Sequence, residues 1–314
     1  MKFKKPKFWD LDKPNILSYL LSIFTLPIVI NNFLLNFRKK KQNDKIKKIC
    51  VGNIYIGGTG KTPTTIKLYE IFKNLKFDVV VGKKFYKSQL DEIKLLKNKT
   101  SLITEKERSK IIERASESEK ELIIFDDGLQ DRNIYYDLKL VCFDSENWIG
   151  NGQLIPAGPL REKLSSLKKY DLIFMKDRND DLKNILAQIK KKNPHIKIFN
   201  TSYKPVNIEK FSSDKKYLIF SGIGNPNNFK KILIKNNIQI KDEIIFPDHY
   251  PFKQDDIKNI KKRAQDLDAE IITTEKDYLR ILEEDRRNIN FLEINLEIDN
   301  ENELINFIKS KIDV

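Results

Sequence analysis

Residues 48–63, Lys-Ile-Cys-Val-Gly-Asn-Ile-Tyr-Ile-Gly-Gly-Thr-Gly-Lys-Thr-Pro, constrain this chain more than any others. A short apolar, β-prone run leads into a glycine-rich loop. The loop closes on Gly60-Lys61-Thr62, and a helical pattern follows. This strand–loop–helix order is the layout of a phosphate-binding loop. Glycines let backbone N–H groups turn inward around phosphate oxygens, and the helix N-terminus adds its positive end. A lysine then reaches the β/γ-phosphates and a hydroxyl reaches Mg²⁺; those roles fall on Lys61 and Thr62. The nucleotide cradle is expected to run through Tyr55, Ile56, Gly57, Gly58, Thr59, Gly60, Lys61 and Thr62.

The loop departs from G-x-x-x-x-G-K-[ST] at one place. The pattern wants glycine five residues before Gly60, and Tyr55 stands there, with Gly57 and Gly58 closer in. The flanking strand and helix therefore carry the assignment, against an incidental glycine-rich turn.

At 314 residues the chain is long enough for two domains, and 40% hydrophobic residues can fill their cores. Lys+Arg 59 against Asp+Glu 45 leaves a net charge of +14, which attracts polyanions: nucleic acid, anionic lipid headgroups or phosphorylated substrates. The lysines are scattered rather than clustered in a stripe, which argues against nucleic acid as the partner. Cys50 and Cys142 sit in apolar, strand-like runs without metal-site spacing, which suits a reducing compartment.

The most apolar stretch runs from Ile16 to Phe37, bracketed by basic residues from Lys2 to Lys7 and from Arg38 to Lys41. A spanning helix needs about 20 mostly apolar residues. Here Pro27 breaks the run, and Asn31, Asn32 and Asn36 interrupt its second half. An interfacial helix or hairpin fits these interruptions best. A true span and a helix packed on the protein's own core are the alternatives. Trp9, Tyr19 and the lysines suit an anionic membrane surface.

Past Lys61, strand-like runs at 77–81, 121–125, 138–143 and 172–175 alternate with helical stretches at 62–74, 105–116, 160–168 and 182–191. Such alternation predicts parallel βαβ units. A second series starts near Tyr217, with strands at 217–220, 243–246, 270–273 and 290–294 and helices at 228–235, 255–267 and 276–284. The polar stretch 208–216 is the expected boundary, and lysine-rich 83–99 reads as a loop.

Several constellations could carry chemistry. The apolar run Glu121-Leu122-Ile123-Ile124-Phe125 ends in Asp126-Asp127-Gly128, where such proteins hold Mg²⁺; either carboxylate can serve. Residues 150–162, GNGQLIPAGPLRE, form a shaped loop whose Arg161 could pair a phosphate. His195 lies in a helix–strand connection and reads as incidental. His249 follows a strand in Phe-Pro-Asp-His-Tyr-Pro-Phe, a location that carries function in α/β folds. Thr273-Thr274-Glu275-Lys276-Asp277 reads as a helix cap or a second phosphate contact.

Taken together, VGNIYIGGTGKTP, DDGLQ, NGQLIPAGPLRE, FPDHYPF and TTEKD resemble the tetraacyldisaccharide 4′-kinases, the lipid A 4′-kinases of Gram-negative bacteria, over nearly the whole chain. The displaced first glycine also matches that family's form of the loop. The resemblance implies ATP and Mg²⁺ as cofactors and transfer of the γ-phosphate to a 4′-hydroxyl of an acylated glucosamine disaccharide 1-phosphate. It also implies a monotopic location at the cytoplasmic face of the bacterial inner membrane. It places a catalytic base on Asp91 of Gln89-Leu90-Asp91-Glu92-Ile93 and a supporting histidine on His249. The chain departs from the family where an Arg-Gly-Tyr-Gly turn becomes Gly82-Lys83-Lys84-Phe85-Tyr86. Gly-Asp-Glu-Pro becomes Leu90-Asp91-Glu92-Ile93, and the histidine after DDGLQ becomes Asp131.

The expected architecture is therefore α/β: a P-loop NTPase-like parallel sheet domain (46–207), an N-terminal membrane-associated apolar segment (1–45) and a smaller α/β domain (208–314). Catalysis is expected from Asp91, His249 and Lys61, and metal binding from Thr62, Asp126 and Asp127. The partners are the sugar-lipid substrate and an anionic membrane, with no nucleic acid. A membrane-associated P-loop ATPase or switch protein without a sugar-lipid substrate would share the loop, the acidic strand end and the anchor.

Overall fold

A computed structural model describes residues 5–27, 29–30, 46–131, 133–176 and 182–312. Along the chain its elements begin with α1 (Ile16–Ser22), β1 (Lys47–Gly52), α2 (Lys61–Asn74), β2 (Val79–Lys84), α3 (Leu90–Lys99), β3 (Leu102–Glu105) and α4 (Arg108–Glu117). They continue with β4 (Leu122–Asp126), β5 (Leu138–Asp144), β6 (Leu172–Lys176), α5 (Leu182–Lys192), β7 (Lys197–Pro205) and β8 (Lys216–Ser221). Then come α6 (Pro226–Lys235), β9 (Gln239–Ile245), α7 (Gln254–Asp266), β10 (Glu270–Thr274), α8 (Glu275–Tyr278), β11 (Ile289–Leu292), β12 (Ile294–Ile298) and α9 (Glu301–Ile312).

Eight strands form one sheet in the order β12-β7-β6-β5-β1-β4-β2-β3. From β7 to β3 every pairing is parallel. A parallel sheet covered on both faces wants continuous apolar strands. The runs Ile49-Cys50-Val51, Val79-Val80-Val81, Leu122–Phe125 and Ile173-Phe174-Met175 supply them, all buried. Each fully buried aliphatic side chain here contributes about 1.5–3 kcal/mol of transfer free energy. β1 lies between β4 and β5, so its C-terminal loop opens where the strand order reverses direction. That is where open α/β sheets bind ligands. The core on one face gathers Cys50, Ile54, Phe125, Tyr136, Phe143 and Ile173 among others.

The second sheet is parallel, in the order β11-β10-β8-β9. Phe220, Phe252, Ile257 and Ile260 pack on one face, and Tyr217, Phe229, Leu233 and Ile272 on the other.

The chain forms two compact units: Met1–Lys84, Thr100–Ser202 and Glu297–Val314 in one, Phe85–Lys99 and Tyr203–Leu296 in the other. The expected linear division at 207/208 does not capture this interleaving. Segment 85–99 is donated to the second unit, and the C-terminal helix returns to the first.

Three local expectations are corrected. Residues 83–99 are not a loop: β2 extends through Lys84, and α3 follows with Leu95 and Leu96 buried on its inner side. The helix expected at 160–168 is a 3₁₀ segment, Leu164–Lys169. The helix expected at 276–284 is the single turn α8.

At the N-terminus α1 stops at Ser22 and gives way to a 3₁₀ turn, Ile23–Thr25, four residues ahead of Pro27. The proline lacks an N–H, and its ring crowds the carbonyl four positions back, which is that of Ile23. Ile16 is 81% exposed and Phe24 65%, with Leu17, Tyr19, Leu20, Ile23 and Leu26 exposed beside them. That exposure rules out the core-helix alternative for 16–26. Among the described residues no helix is long and apolar enough to cross a membrane. The asparagines at 31, 32 and 36 and the basic run 38–41 lie outside the described residues.

Candidate active site

The phosphate loop is built as its composition requires. Gly60 takes φ +87 at the N-cap of α2, a left-handed backbone that glycine adopts without a Cβ penalty. The loop is braced from inside by Asn53, whose amide donates to Thr59 Oγ1 at 3.0 Å and to the Gly57 carbonyl at 3.3 Å. It is braced from outside by 150–161: Ile56 N donates to Pro159 O, and Arg161 N donates to Ile54 O at 2.7 Å. The shaped loop of glycines and prolines is thus the frame of the phosphate loop.

Tyr55 explains the displaced glycine. Its ring is buried with Leu154 and Leu160. Its hydroxyl donates to Asp10 Oδ1 at 2.7 Å and accepts from Lys5 Nζ at 2.8 Å. Trp9, buried, donates from Nε1 to Pro156 O, while Asn151 N donates to the Trp9 carbonyl. The segment preceding the exposed apolar helix is therefore fastened to the phosphate loop and its frame.

Beyond the loop, the two carboxylates ending β4 have different partners. Asp126, buried, accepts from Thr62 Oγ1 at 3.2 Å and from Lys83 Nζ at 2.7 Å. Asp127 turns away on a left-handed backbone (φ +58) and meets Arg161 Nη1 at 2.8 Å and Lys61 Nζ at 3.9 Å. Burial alone would raise the Asp127 carboxyl, but Lys61, Arg161 and Lys83 outweigh it and bring it down to about 2. Arg108, reaching in from α4, donates to the Asp127 carbonyl and to Asp131 Oδ2, fixing the turn from behind. Gln130 donates to Asn53 O and to Glu162 Oε1. The DDGLQ and PLRE segments are thereby one hydrogen-bonded assembly around β1.

In the second unit, Asp91 sits in the first turn of α3 with its side chain 3% exposed. His249 Nδ1 lies 3.1 Å from both of its oxygens. Arg280 grips Asp91 Oδ2 from Nε at 3.0 Å and Nη2 at 2.5 Å, and Lys276 Nζ lies 3.5 Å away. Burial would raise the Asp91 carboxyl, but the His249 hydrogen bond and the Lys276 and Arg280 charges hold it well below the usual carboxylate range. His249 adopts φ +56, and its N–H donates to the Gly222 carbonyl at 3.1 Å. The surrounding prolines and aromatics hold it there: Phe246, Tyr250 and Phe252 pack edge and face on one another and on Phe220. TTEKD is a cap, with Thr274 Oγ1 accepting from Asp277 N at 3.1 Å.

Each unit thus gathers its own expected residues: Lys61, Thr62, Asp126 and Asp127 in the first, Asp91 and His249 in the second. His195 is exposed in the connection between α5 and β7. Sequence reasoning missed Lys83, Arg108 and Arg280, and named Lys276 only within TTEKD. A lysine ending the buried run Val79-Val80-Val81-Gly82 was the one available signal, since a buried ammonium demands an anion.

The family described as tetraacyldisaccharide-1-P 4′-kinase (LpxK) matches residues 15–313. A tetraacyldisaccharide 4′-kinase of Pelagibacter ubique is 44% identical over 306 residues, 98% of this chain and 97% of that protein. One of Rickettsia akari is 35% identical over 323 residues, covering 96% of this chain and 95% of its own. Among solved structures, LpxK from Aquifex aeolicus, crystallised with ATP, superposes with a TM-score of 0.69 at 22% identity. The match covers 95% of this chain and 100% of that one; it shows the shared fold.

Proposed function

The chain belongs to the tetraacyldisaccharide-1-P 4′-kinase family, and from that premise we propose how its residues divide the work of phosphoryl transfer. The reaction is phosphorylation of the 4′-hydroxyl of tetraacyldisaccharide 1-phosphate in lipid A biosynthesis. Family membership decides for this kinase over a membrane-associated ATPase or switch.

ATP is the donor in this reading. Phosphoryl transfer asks little covalent work of a protein; position and charge neutralisation dominate. The amides of 55–60 cradle the β/γ-phosphates, and Lys61, at the start of α2, neutralises charge that spreads onto the transferring group. Thr62 and Asp126 are the residues that would hold Mg²⁺, with Asp127 the alternative carboxylate. The fit is supported by their chemistry: a hydroxyl and a carboxylate oxygen 3.2 Å apart are hard donors, and Mg²⁺ takes one or two carboxylates plus substrate phosphates. When bound, the ion would supply positive charge that offsets the charge on the phosphate oxygens. The Lys83 ammonium, 2.7 Å from Asp126 Oδ2, orients that carboxylate. On the acceptor side the Asp91–His249 pair takes the hydroxyl proton.

The observation that carries this reading is the Thr62–Asp126 contact directly behind Lys61, in a loop framed by the family's own segments. Its test is ATP consumption with and without tetraacyldisaccharide 1-phosphate. Turnover should depend on the acceptor, and equal turnover without it would sink the kinase assignment of these residues.

The exposed apolar face of α1 supports a peripheral, single-leaflet attachment, and the basic composition supports an anionic, cytoplasmic-face membrane.

A further inference from the structure

The segment that carries the exposed apolar helix is held on the frame of the phosphate loop at three places. Ahead of α1, a 3₁₀ turn, Lys7–Asp10, presents Trp9 and Asp10. Trp9 Nε1 donates to Pro156 O at 3.0 Å, and the Tyr55 hydroxyl is shared by Asp10 and Lys5. Within α1, Ser18 is fully buried while Leu17 and Tyr19 on either side of it are exposed. Its Oγ accepts from Asn151 Nδ2 at 2.9 Å, and the same amide donates to Ala157 O at 3.0 Å. Past α1, Val29 packs against the cluster of Tyr55, Leu154 and Leu160. Tyr55 thus meets the apolar segment's surroundings through both its ring cluster and its hydroxyl. Its backbone also opens the nucleotide loop: the next amide, Ile56 N, donates to Pro159 O at 2.9 Å.

Neither partner in this arrangement is self-sufficient. α1 has seven residues, and a helix that short is not stable in water by itself. Asn15 caps it through Ser18 N, and Asn151 takes hold of the same Ser18. The outward display of Ile16, Leu20 and Phe24 therefore depends on docking against the loop that holds Asn151. The glycine-rich loop depends on the same docking, because glycines leave its course to whatever Tyr55 and Pro159 rest on.

Resting on the reading of α1 as a membrane attachment, we infer that nucleotide occupancy and bilayer attachment are coupled through Tyr55 and Asn151, so that the nucleotide-bound protein grips an anionic lipid surface more tightly than the empty one. A nucleotide favours the ordered loop, and a bilayer favours the ordered apolar face. Both orders come with one docked arrangement, so each ligand shifts the chain toward the form that the other binds. By linkage, a bilayer raises nucleotide affinity by the same factor.

The test uses the full-length protein, vesicles of mixed phosphatidylethanolamine and phosphatidylglycerol, and the non-hydrolysable ATP analogue Mg-AMP-PNP. Sedimentation at matched ionic strength gives the vesicle affinity with and without saturating nucleotide. Titration calorimetry gives the nucleotide affinity with and without vesicles. In the wild type both affinities should rise by one common factor, about 5-fold or more. Lys61→Ala should still bind vesicles but lose the effect of nucleotide on sedimentation. Asn151→Ala should bring both factors toward one. So should Asp10→Asn, a surface change that leaves the core untouched. Wild-type protein that sediments equally with and without nucleotide would overturn the inference, and that result needs no variant to fold. A common factor that neither variant reduces would overturn it too, since the docking would not then carry the coupling. Failure to sediment under any condition would instead remove the attachment reading, and the coupling with it.

Discussion

Lys61, Asp127 and Asp91 show how much single side chains decide in this protein. Lys61→Ala should leave the fold intact, because the lysine heads a helix and its principal anion, Asp127, keeps Arg161. Kinase turnover should nevertheless fall by at least about 10³-fold, since a charge aimed at the transferring phosphate is lost. Circular dichroism and the acceptor-dependent assay together check both halves of that statement. Asp127 also makes a pH prediction. Its folded pKa of about 2 lies below the 3.8 of an ordinary Asp, so the stabilisation is complete above about pH 4 and is lost as pH falls toward 2. Its size is roughly 2 kcal/mol. Urea unfolding of Asp127→Asn should show that deficit at pH 7, and the deficit should shrink below pH 4. Asp91 follows the same sign, being depressed as well. Asp91→Asn and His249→Ala should each cut kcat strongly, with the double variant little worse than Asp91→Asn. Fully multiplicative losses would mean that the pair does not work as one unit.

At the scale of elements, the exposed face of α1 is the feature to probe. Replacing Leu20 and Phe24 by Asp together should abolish sedimentation with anionic vesicles, because each loses apolar area and adds a charge that the headgroups repel. Thermal stability should change by less than about 0.5 kcal/mol, as both side chains already face outward. Retained vesicle binding would put the attachment elsewhere. Element identity was legible in the sequence wherever burial was two-sided. Residues 121–125 and 217–220 read as strands because, past Glu121, nothing charged interrupts them. β3 was lost because all four of its residues are only half-buried, and β7 was foreshadowed only by the helix–strand connection at His195 because exposed and buried positions alternate irregularly along it. α3 was lost to its lysines: they solvate one side of a helix whose Leu95 and Leu96 are buried on the other. The loop chemistry of Lys61 and Thr62 is local and could be read directly. The Arg280 fork joins positions 189 residues apart, and no local pattern encodes that.

For the whole molecule, a ligand that binds only the folded chain adds RT ln(1 + [L]/Kd), about 2.7 kcal/mol at a hundredfold excess over Kd. Mg-ATP should therefore raise Tm measurably in the wild type and much less in Lys61→Ala. An unchanged wild-type Tm at millimolar Mg-ATP would argue against nucleotide binding. The interleaved units also mean that truncation near residue 207 would cut through both, stripping β12 and α9 from the larger sheet's unit. Experiments on either unit should therefore keep the chain whole. The cysteines make that practical. Cys50 and Cys142 are both buried in central strands, and burial drives both thiols up, that of Cys142 to about 12. A thiol reacts as its thiolate, so neither should take a maleimide in the native state. The natural sequence is already a silent background for labelling. A single cysteine introduced at an exposed α1 position such as Leu20 could carry an environment-sensitive dye without other changes, and its emission would report how deeply that helix enters a bilayer.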